Sequence, residues 1–371
     1  MSMAESDKVE SVATKRENGV KVEAQYVVGE YDILLLSATE SMGLKDWLIN
    51  NGYKIPGKAH EVLDPYIKSN LKFFVVKVNA EEKRRSPNRF LRPIQISFTS
   101  PKFMLPIRLG MANADGDQEL IVYAFTRKGR IECTNYRNVS IPTDRKVPLF
   151  VQKDFNAFYE RLFTRQWQQA QYSAAFLEYA WDVTPANYYH CDPCIATAPS
   201  EADIVQAGVW WLHADWNDYR NVDEEITDPA NRNVHFTRLH FRYNRSSFAQ
   251  DLQFQVTPNT ETFQARYVIT HPAQGSFACA EGKKYLKSLR ERRKAELEEL
   301  TALTGKTLDD WQDEARAADQ HTDLDAPAHY TAVLSDMDQE RRNAREGHVP
   351  LYLLGLLAAG GAGWMRNRGM I

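Results

Sequence analysis

Phe236-Thr237-Arg238-Leu239-His240-Phe241-Arg242-Tyr243 alternates in character from residue to residue. On an extended chain Phe236, Arg238, His240 and Arg242 fall on one face, and Thr237, Leu239, Phe241 and Tyr243 on the other. That pattern predicts a half-buried antiparallel strand. A strand inside a parallel sheet is covered on both faces and reads as a continuous apolar run instead.

Short strand-like runs recur on both sides of this stretch. Leu252–Val256 and Phe263–Thr270 follow it, and Phe176–Val183 precedes it. Further upstream lie Ala24–Val28, Tyr31–Ser37, Leu71–Val78, Arg92–Thr99, Ile107–Gly110, Glu119–Phe125 and Ile131–Asn135. Asp115-Gly116 reads as a turn, because the further oxygen ligands of a calcium loop are missing. Helical periodicity is shorter and scattered. Met42, Leu44, Trp47, Leu48 and Ile49 line one side of a helix that starts at Ser41 and is stopped by Gly52. Glu61–Asn70 is a second helix. Asp154 caps a third, running to about Gln169, with Phe155, Phe158, Tyr159, Leu162, Phe163 and Trp167 on its apolar side. Ser200-Glu201-Ala202-Asp203 resembles a capping box.

From Lys283 to Thr304, Leu286, Leu289, Leu297, Leu300 and Leu303 recur among charges until Gly305 ends the pattern. Thr307-Leu308-Asp309-Asp310 opens another helix with Trp311 near its start. The polar stretch from Gln320 to Gly347 reads as a linker, helical near Ser335–Arg345. Val349–Met365 carries no charge and is followed by Arg366-Asn367-Arg368. At about 1.5 Å per residue it spans roughly 25 Å against a hydrocarbon core of about 30 Å. Trp364 and the arginines suit a membrane boundary. Its glycines would weaken a soluble helix but are common in membrane spans.

The expected fold class is therefore α+β: mixed, mainly antiparallel sheets with short helices, a charged helical segment and one C-terminal transmembrane helix. The expected organisation is a disordered N-terminus over 1–23 and a globular region over 24–282, divisible into 24–150 and 151–282. Charged helices over 283–318, a linker over 319–348 and an anchor over 349–365 complete it.

Charge excludes one broad class of partner. The net charge is −3, and the basic runs at Lys83-Arg84-Arg85 and Arg290–Lys294 read as a solvated loop and a charged helix. Nucleic-acid binding needs a basic face, so none is expected. Residues 1–23 lack the apolar core of a secretory signal. No phosphate-binding Gly-Lys-Ser/Thr loop, Gly-x-Ser-x-Gly elbow or His-Glu-x-x-His occurs.

Four cysteines are present, and Cys191 and Cys194 are spaced as a pair in His190-Cys191-Asp192-Pro193-Cys194. The leading reading is a structural disulfide set, closing Cys191–Cys194 locally or tying them to Cys133 and Cys279. Zinc held by Cys191 and Cys194 with His190, His213 or the other cysteines is a second reading. Thiol–disulfide exchange is a third, weakened by Pro199, which would break the helix that stabilises a reactive thiolate. Val209–Tyr219 concentrates Trp210, Trp211 and Trp216 with Tyr219. The simplest reading puts Trp210 and Trp211 on a strand, filling core; the alternative is a surface that stacks sugars or binds a partner.

Several of these pieces resemble an uncharacterised bacterial family, domain of unknown function 2330. They are Gly29-Glu30-Tyr31-Asp32, Trp47-Leu48, Asn51-Gly52-Tyr53-Lys54-Ile55-Pro56, the Cys191/Cys194 pair, Thr237–Tyr243, Phe263–Ile269 with His271-Pro272, and Arg292-Arg293 on the way to Leu303-Thr304-Gly305. The resemblance runs in colinear order from about Val22 to Gly305. It implies an exported bacterial protein and no particular activity. The family often carries a signal and a cysteine-containing region upstream, and this chain starts where the family's second half would start. The expected function is a membrane-anchored binding or accessory subunit of a membrane complex. It would contact the bilayer through Val349–Met365, with its globular part periplasmic or extracellular and its C-terminus cytoplasmic. A thiol–disulfide or zinc-dependent enzyme centred on Cys191 and Cys194 is the alternative.

Overall fold

β-branched and aromatic residues at alternate positions do build most of the strands. The structure is a computed structural model that describes residues 16–56, 59–85, 90–111, 114, 116–185, 199–212, 232–320 and 328–345. In chain order the first strands are β1 (Arg16–Glu17), β2 (Val20–Val28), β3 (Tyr31–Ala38), β4 (Phe73–Val78) and β5 (Met104–Leu105). Next come β6 (Gln118–Thr126), β7 (Ile131–Cys133), β8 (Arg137–Ser140), β9 (Arg145–Val147) and β10 (Ala174–Asp182). The last are β11 (His235–Tyr243), β12 (Leu252–Val256), β13 (Phe263–Gln264) and β14 (Tyr267–Ile269). The helices are α1 (Ser41–Asn50), α2 (Ala59–Lys68), α3 (Ala80–Arg85), α4 (Arg108–Met111) and α5 (Phe155–Gln169). They continue with α6 (Glu201–Gln206), α7 (Ala280–Thr304), α8 (Gln312–Asp319) and α9 (Tyr330–Arg345). The class is α+β, with antiparallel pairing dominant. Among the described residues no helix is long and apolar enough to cross a membrane. Val349–Met365 lies outside the described residues.

The chain divides into two compact units, one of residues 1–139 and 172–263, the other of 140–171 and 264–371. In the first unit the sheet β1-β2-β3-β4 is antiparallel throughout. It packs with α1 and α2 around Leu36, Leu44, Trp47, Leu48, Leu63 and Tyr66. Met42 and Ile49, expected on the apolar side of α1, are instead half exposed. Gly29 has φ +55 at the first turn position between β2 and β3, where a two-residue hairpin of this hand needs glycine. A Cβ there would also lie 1.8 Å from the Arg92 guanidinium. Next to it Glu30, buried to 1 % exposure, accepts from Arg92 N at 2.9 Å and Arg92 Nε at 2.8 Å. Those hydrogen bonds hold the Glu30 carboxyl well below the usual carboxylate range.

The same unit holds the sheet segment β10-β11-β6. β11 lies between two antiparallel neighbours. Its inner face is the one the alternation selects: Leu239, Phe241 and Tyr243 pack with Phe248, Leu252, Phe254 and Cys133.

Three sequence expectations fail here. Arg92–Thr99 joins no ladder among the described residues, and Ile94, Ile96 and Phe98 are exposed. The Glu30 clasp holds this segment at Arg92, and alternation alone supplies no pairing partner. Ile107–Gly110 gives way to α4, whose start is fixed by the Arg108 N–H donating to Asp251 Oδ1 at 3.1 Å. Trp210-Trp211-Leu212 forms a 3-10 turn rather than a strand, since Val209 and Leu212 are both buried at a spacing of three.

In the second unit β9 and β14 pair in parallel. α7 is capped at its C-terminus by Gly305 at φ +71, the left-handed position that favours glycine. Leu297, Leu308, Ala315, Tyr330, Val333, Leu334 and Met337 form its core, so the stretch composed like a linker contains a packed helix, α9. A buried polar node holds that core in register. Asp319 accepts from Tyr330 N at 2.8 Å, Thr331 N at 2.9 Å and Thr331 Oγ1 at 2.8 Å. Arg293 lies 3.6 Å from Asp319 and 4.0 Å from the Tyr330 ring centroid, and donates to the Ala328 carbonyl. The Tyr330 hydroxyl donates to Glu296 Oε2 at 3.1 Å.

Candidate functional site

Glu178 is the residue that turns the outer face of β10-β11-β6 into a site. It sits within Ala174-Ala175-Phe176-Leu177-Glu178-Tyr179-Ala180-Trp181, where an ionised side chain is costly to bury without a partner. The pairing register supplies one. Leu177 opposes Leu239 and Tyr179 opposes Arg238, leaving Glu178 as the extra residue of a bulge. A bulge re-aims a side chain without ending the strand, and here the carboxylate meets the polar side chains of β11.

The result is a closed charge knot. His240 Nδ1 donates to Glu178 Oε1 at 2.7 Å, and His240 Nε2 to Glu119 Oε2 at 2.7 Å. Arg238 Nε lies 2.8 Å from Glu178 Oε2, off the N–H axis, so that contact is ionic rather than a well-aligned hydrogen bond. Arg242 Nε pairs with Glu119 Oε1. An imidazole that donates from both nitrogens is an imidazolium. Burial by itself pushes His240 down, but the hydrogen bonds and charges of Glu119 and Glu178 outweigh it and raise its pKa. Burial likewise opposes ionisation of Glu119, yet His240 and Arg242 bring its pKa below the ordinary value. The knot is most enclosed on the β10 side: the side chains of Glu178, His240 and Glu119 are 4 %, 12 % and 46 % exposed.

Beside the knot the same face turns aromatic. Tyr123, the most exposed ring at 56 %, stacks on Phe236 with centroids 5.8 Å apart and planes 8° from parallel. Phe236 also meets Phe125 at 5.1 Å and Tyr179 at 5.6 Å, and Tyr179 stacks on Trp181 at 5.9 Å. The Arg238 guanidinium lies over Tyr123, 5.6 Å from its centroid. Phe125, Trp181 and Phe236 then pack on a small apolar cluster of Val183, Ile204, Val209, Leu212 and Val234, which Trp211 shares. Trp210 and Trp211 meet edge to face at 5.9 Å, and the Arg127 guanidinium lies 5.1 Å and 5.2 Å from their centroids. α6 buttresses this end through its capping box, in which Ser200 and Asp203 satisfy each other's backbone N–H groups.

Of the residues singled out from the sequence, Trp210 and Trp211 lie at this aromatic end. His190, Cys191, Cys194, His213, Trp216 and Tyr219 lie outside the described residues. Cys133 and Cys279 are free thiols, so the structure lends no support to tying them to Cys191 and Cys194, while the expected local Cys191–Cys194 closure lies outside the described residues. Each has a local role. Cys133 is buried in the β7 core and donates to Asn135 Oδ1 at 3.4 Å, and burial raises its pKa. Cys279 Sγ caps α7, accepting from Gly282 N at 3.3 Å. Among the described residues no group of three His, Cys, Asp or Glu side chains is placed to hold a metal ion.

The β11 side of the knot was within reach of the sequence. Arg238, His240 and Arg242 stood on the polar face of the predicted strand. Glutamates inside otherwise apolar strands were the signal that this face had buried partners.

The second unit holds a cavity of about 880 Å³ lined by Phe150, Phe158, Arg161, Asp310 and Trp311 among others. Two of its four acids have structural roles: Asp154 caps α5 at Ala157 N, 3.1 Å, and Asp310 accepts from Thr307 N and Oγ1, each at 2.8 Å. It offers volume without a converging polar constellation.

No curated protein and no solved structure matches this chain. Residues 1–255 match the family described as "Uncharacterized protein conserved in bacteria (DUF2330)". With that match covering most of its length, the chain belongs to the DUF2330 family of bacterial proteins.

Proposed function

We propose that this protein is a membrane-tethered, extracytoplasmic binding protein, an accessory subunit of a membrane complex, which engages its ligand through the outer face of β10-β11-β6. One observation carries the binding part: all four carboxylate oxygens of Glu119 and Glu178 are engaged by His240, Arg238 or Arg242. A general base needs an oxygen or nitrogen within reach of a substrate proton. Here those atoms face one another, so the knot stiffens the sheet and presents the aromatic strip beside it. The tether is supported by the uncharged Val349–Met365 run and by Arg366 and Arg368 after it.

Tyr123 reports on both parts. A Tyr123→Cys variant in a Cys279→Ser background is treated in spheroplasts with a membrane-impermeant maleimide and compared with the same protein purified. The expected result is labelling at position 123 without permeabilisation, slower in cells than in the purified protein because a ligand covers the face. Labelling only after permeabilisation refutes the extracytoplasmic placement, and equal rates in both settings refute the occupied face.

A further inference from the structure

We infer that Ile94–Phe98 is a docking strand for a second copy of this chain, pairing antiparallel with the same residues across a two-fold axis. The run from 91 to 100 has no helix, turn or bend, and it joins no ladder among the described residues. Both ends are pinned. Arg92 N donates to Glu30 Oε1 at 2.9 Å, and the Tyr31 hydroxyl donates to the Arg92 carbonyl. Past the far end the Phe103 carbonyl accepts from Phe254 N at 2.8 Å, and β5 pairs with β12. Between these anchors the backbone N–H and C=O groups of Ile94, Ile96 and Phe98 have no hydrogen-bond partner among the described residues. Their side chains are 42 %, 52 % and 76 % exposed. A bilayer would leave those backbone groups unsatisfied, whereas an added strand satisfies them.

The occupant follows from the pattern. Pro93-Ile94-Gln95-Ile96-Ser97-Phe98-Thr99-Ser100-Pro101 holds no charged residue, so two copies meet without the charges that guard most sheet edges. The apolar positions are self-complementary. With Ile96 opposite itself, Ile94 opposes Phe98 of the second copy, an aromatic and β-branched pair of the kind that stabilises ladders. Pro93 then fixes which pairs exchange hydrogen bonds. Lacking an N–H, it belongs where that group points out of the ribbon. The alternate residues Ile94, Ile96 and Phe98 therefore fall in the hydrogen-bonded pairs, and theirs are the backbone groups left open. The ladder is short, because Arg92 is already engaged and Pro101 closes the other end. Three side chains per copy cover less than the roughly 1,200 Å² of a stable interface, so the dimer is weak and concentration-dependent.

Disulfide cross-linking of the full chain tests both the partner and the register. Each cysteine variant is made in a Cys279→Ser background, oxidised over a dilution series, and read as reducible dimer in excess of that parent. Ile96→Cys should cross-link with itself, since residues opposed in a hydrogen-bonded pair lie about 5.5 Å apart, within disulfide reach. Ile94→Cys and Phe98→Cys should give no dimer alone, each lying about 14 Å from its own copy, while a mixture of the two should cross-link. Adding Ile96→Lys to both members of that mixture sets like charges opposite each other and should cut the yield about fivefold. Thermal unfolding should be unchanged, because Ile96 is half exposed; should Ile96→Lys unfold the protein, the cysteine pattern still decides. Equal self-cross-linking at 94, 96 and 98, no dimer from Ile96→Cys at any concentration, or a yield indifferent to Ile96→Lys in folded protein overturns the inference.

Discussion

Replacing Glu178 by glutamine keeps the shape of the bulge residue and removes one charge from the knot. His240 and Arg242 would keep Glu119, Arg238 would lose the charge of its Glu178 partner, and the His240 Nδ1–H would face a neutral amide. Removing one partner of a buried ion pair costs about 3–5 kcal/mol. The knot is not fully enclosed, since Arg238 is 37 % exposed and Glu119 46 %, so solvent recovers part of that. The expected loss is about 2–3 kcal/mol, a fall of about 1 M in the urea midpoint at unchanged m. Titration gives an independent reading. A raised His240 pKa contributes stability that is complete below the ordinary histidine value and lost as pH rises through the raised folded value. Glu119, held low, contributes stability above the ordinary carboxylate value that is lost as pH falls through its depressed one. The wild-type protein should therefore be most stable in the mildly acid window between them. In Glu178→Gln the desolvation of His240 is less opposed, so its NMR-monitored pKa should fall and the alkaline arm of that window should move to lower pH. A cost below about 0.5 kcal/mol together with an unmoved His240 titration would refute the imidazolium bridge.

Asp319→Ala should destabilise the second unit by about 3–5 kcal/mol, because it strips the N–H partners of Tyr330 and Thr331 and leaves Arg293 buried beside the Tyr330 ring. Asp319→Asn should restore the cap but not the charge and so lose less than Asp319→Ala in urea titrations; no loss at all in Asp319→Asn would contradict the ion-pair role, and equal losses would contradict the cap. Thiol reagents should modify Cys279 in the native protein and Cys133 only after denaturation, since one is exposed and the other buried with a raised pKa. Peptide mapping after native and after denaturing alkylation, both without reductant, checks this, and a label missing at either position after denaturation would show a disulfide.

The alternation from His235 to Tyr243 was legible because burial on one face writes itself into every second residue. Asp154, Gly305 and the Ser200–Asp203 box were legible for a similar reason: a helix end leaves orphan backbone groups that only a few residue types satisfy. Arg92–Thr99 shows where such reading stops. Its composition suits a strand, but a strand exists only with a partner, and which segments pair is a matter of distant chain.

By itself, then, the sequence determined the faces of the strands, the ends of the longer helices and the α+β class. Each of these depends on interactions within a few residues, which spacing records. Only the tertiary structure decided that Glu119 and Glu178, from strands on opposite sides of β11, close on His240. It also decided that Asp319 caps a helix eleven residues further on. The physical reason is register. One bulge at Glu178 redirects one carboxylate, and no local pattern encodes which neighbouring strand will receive it.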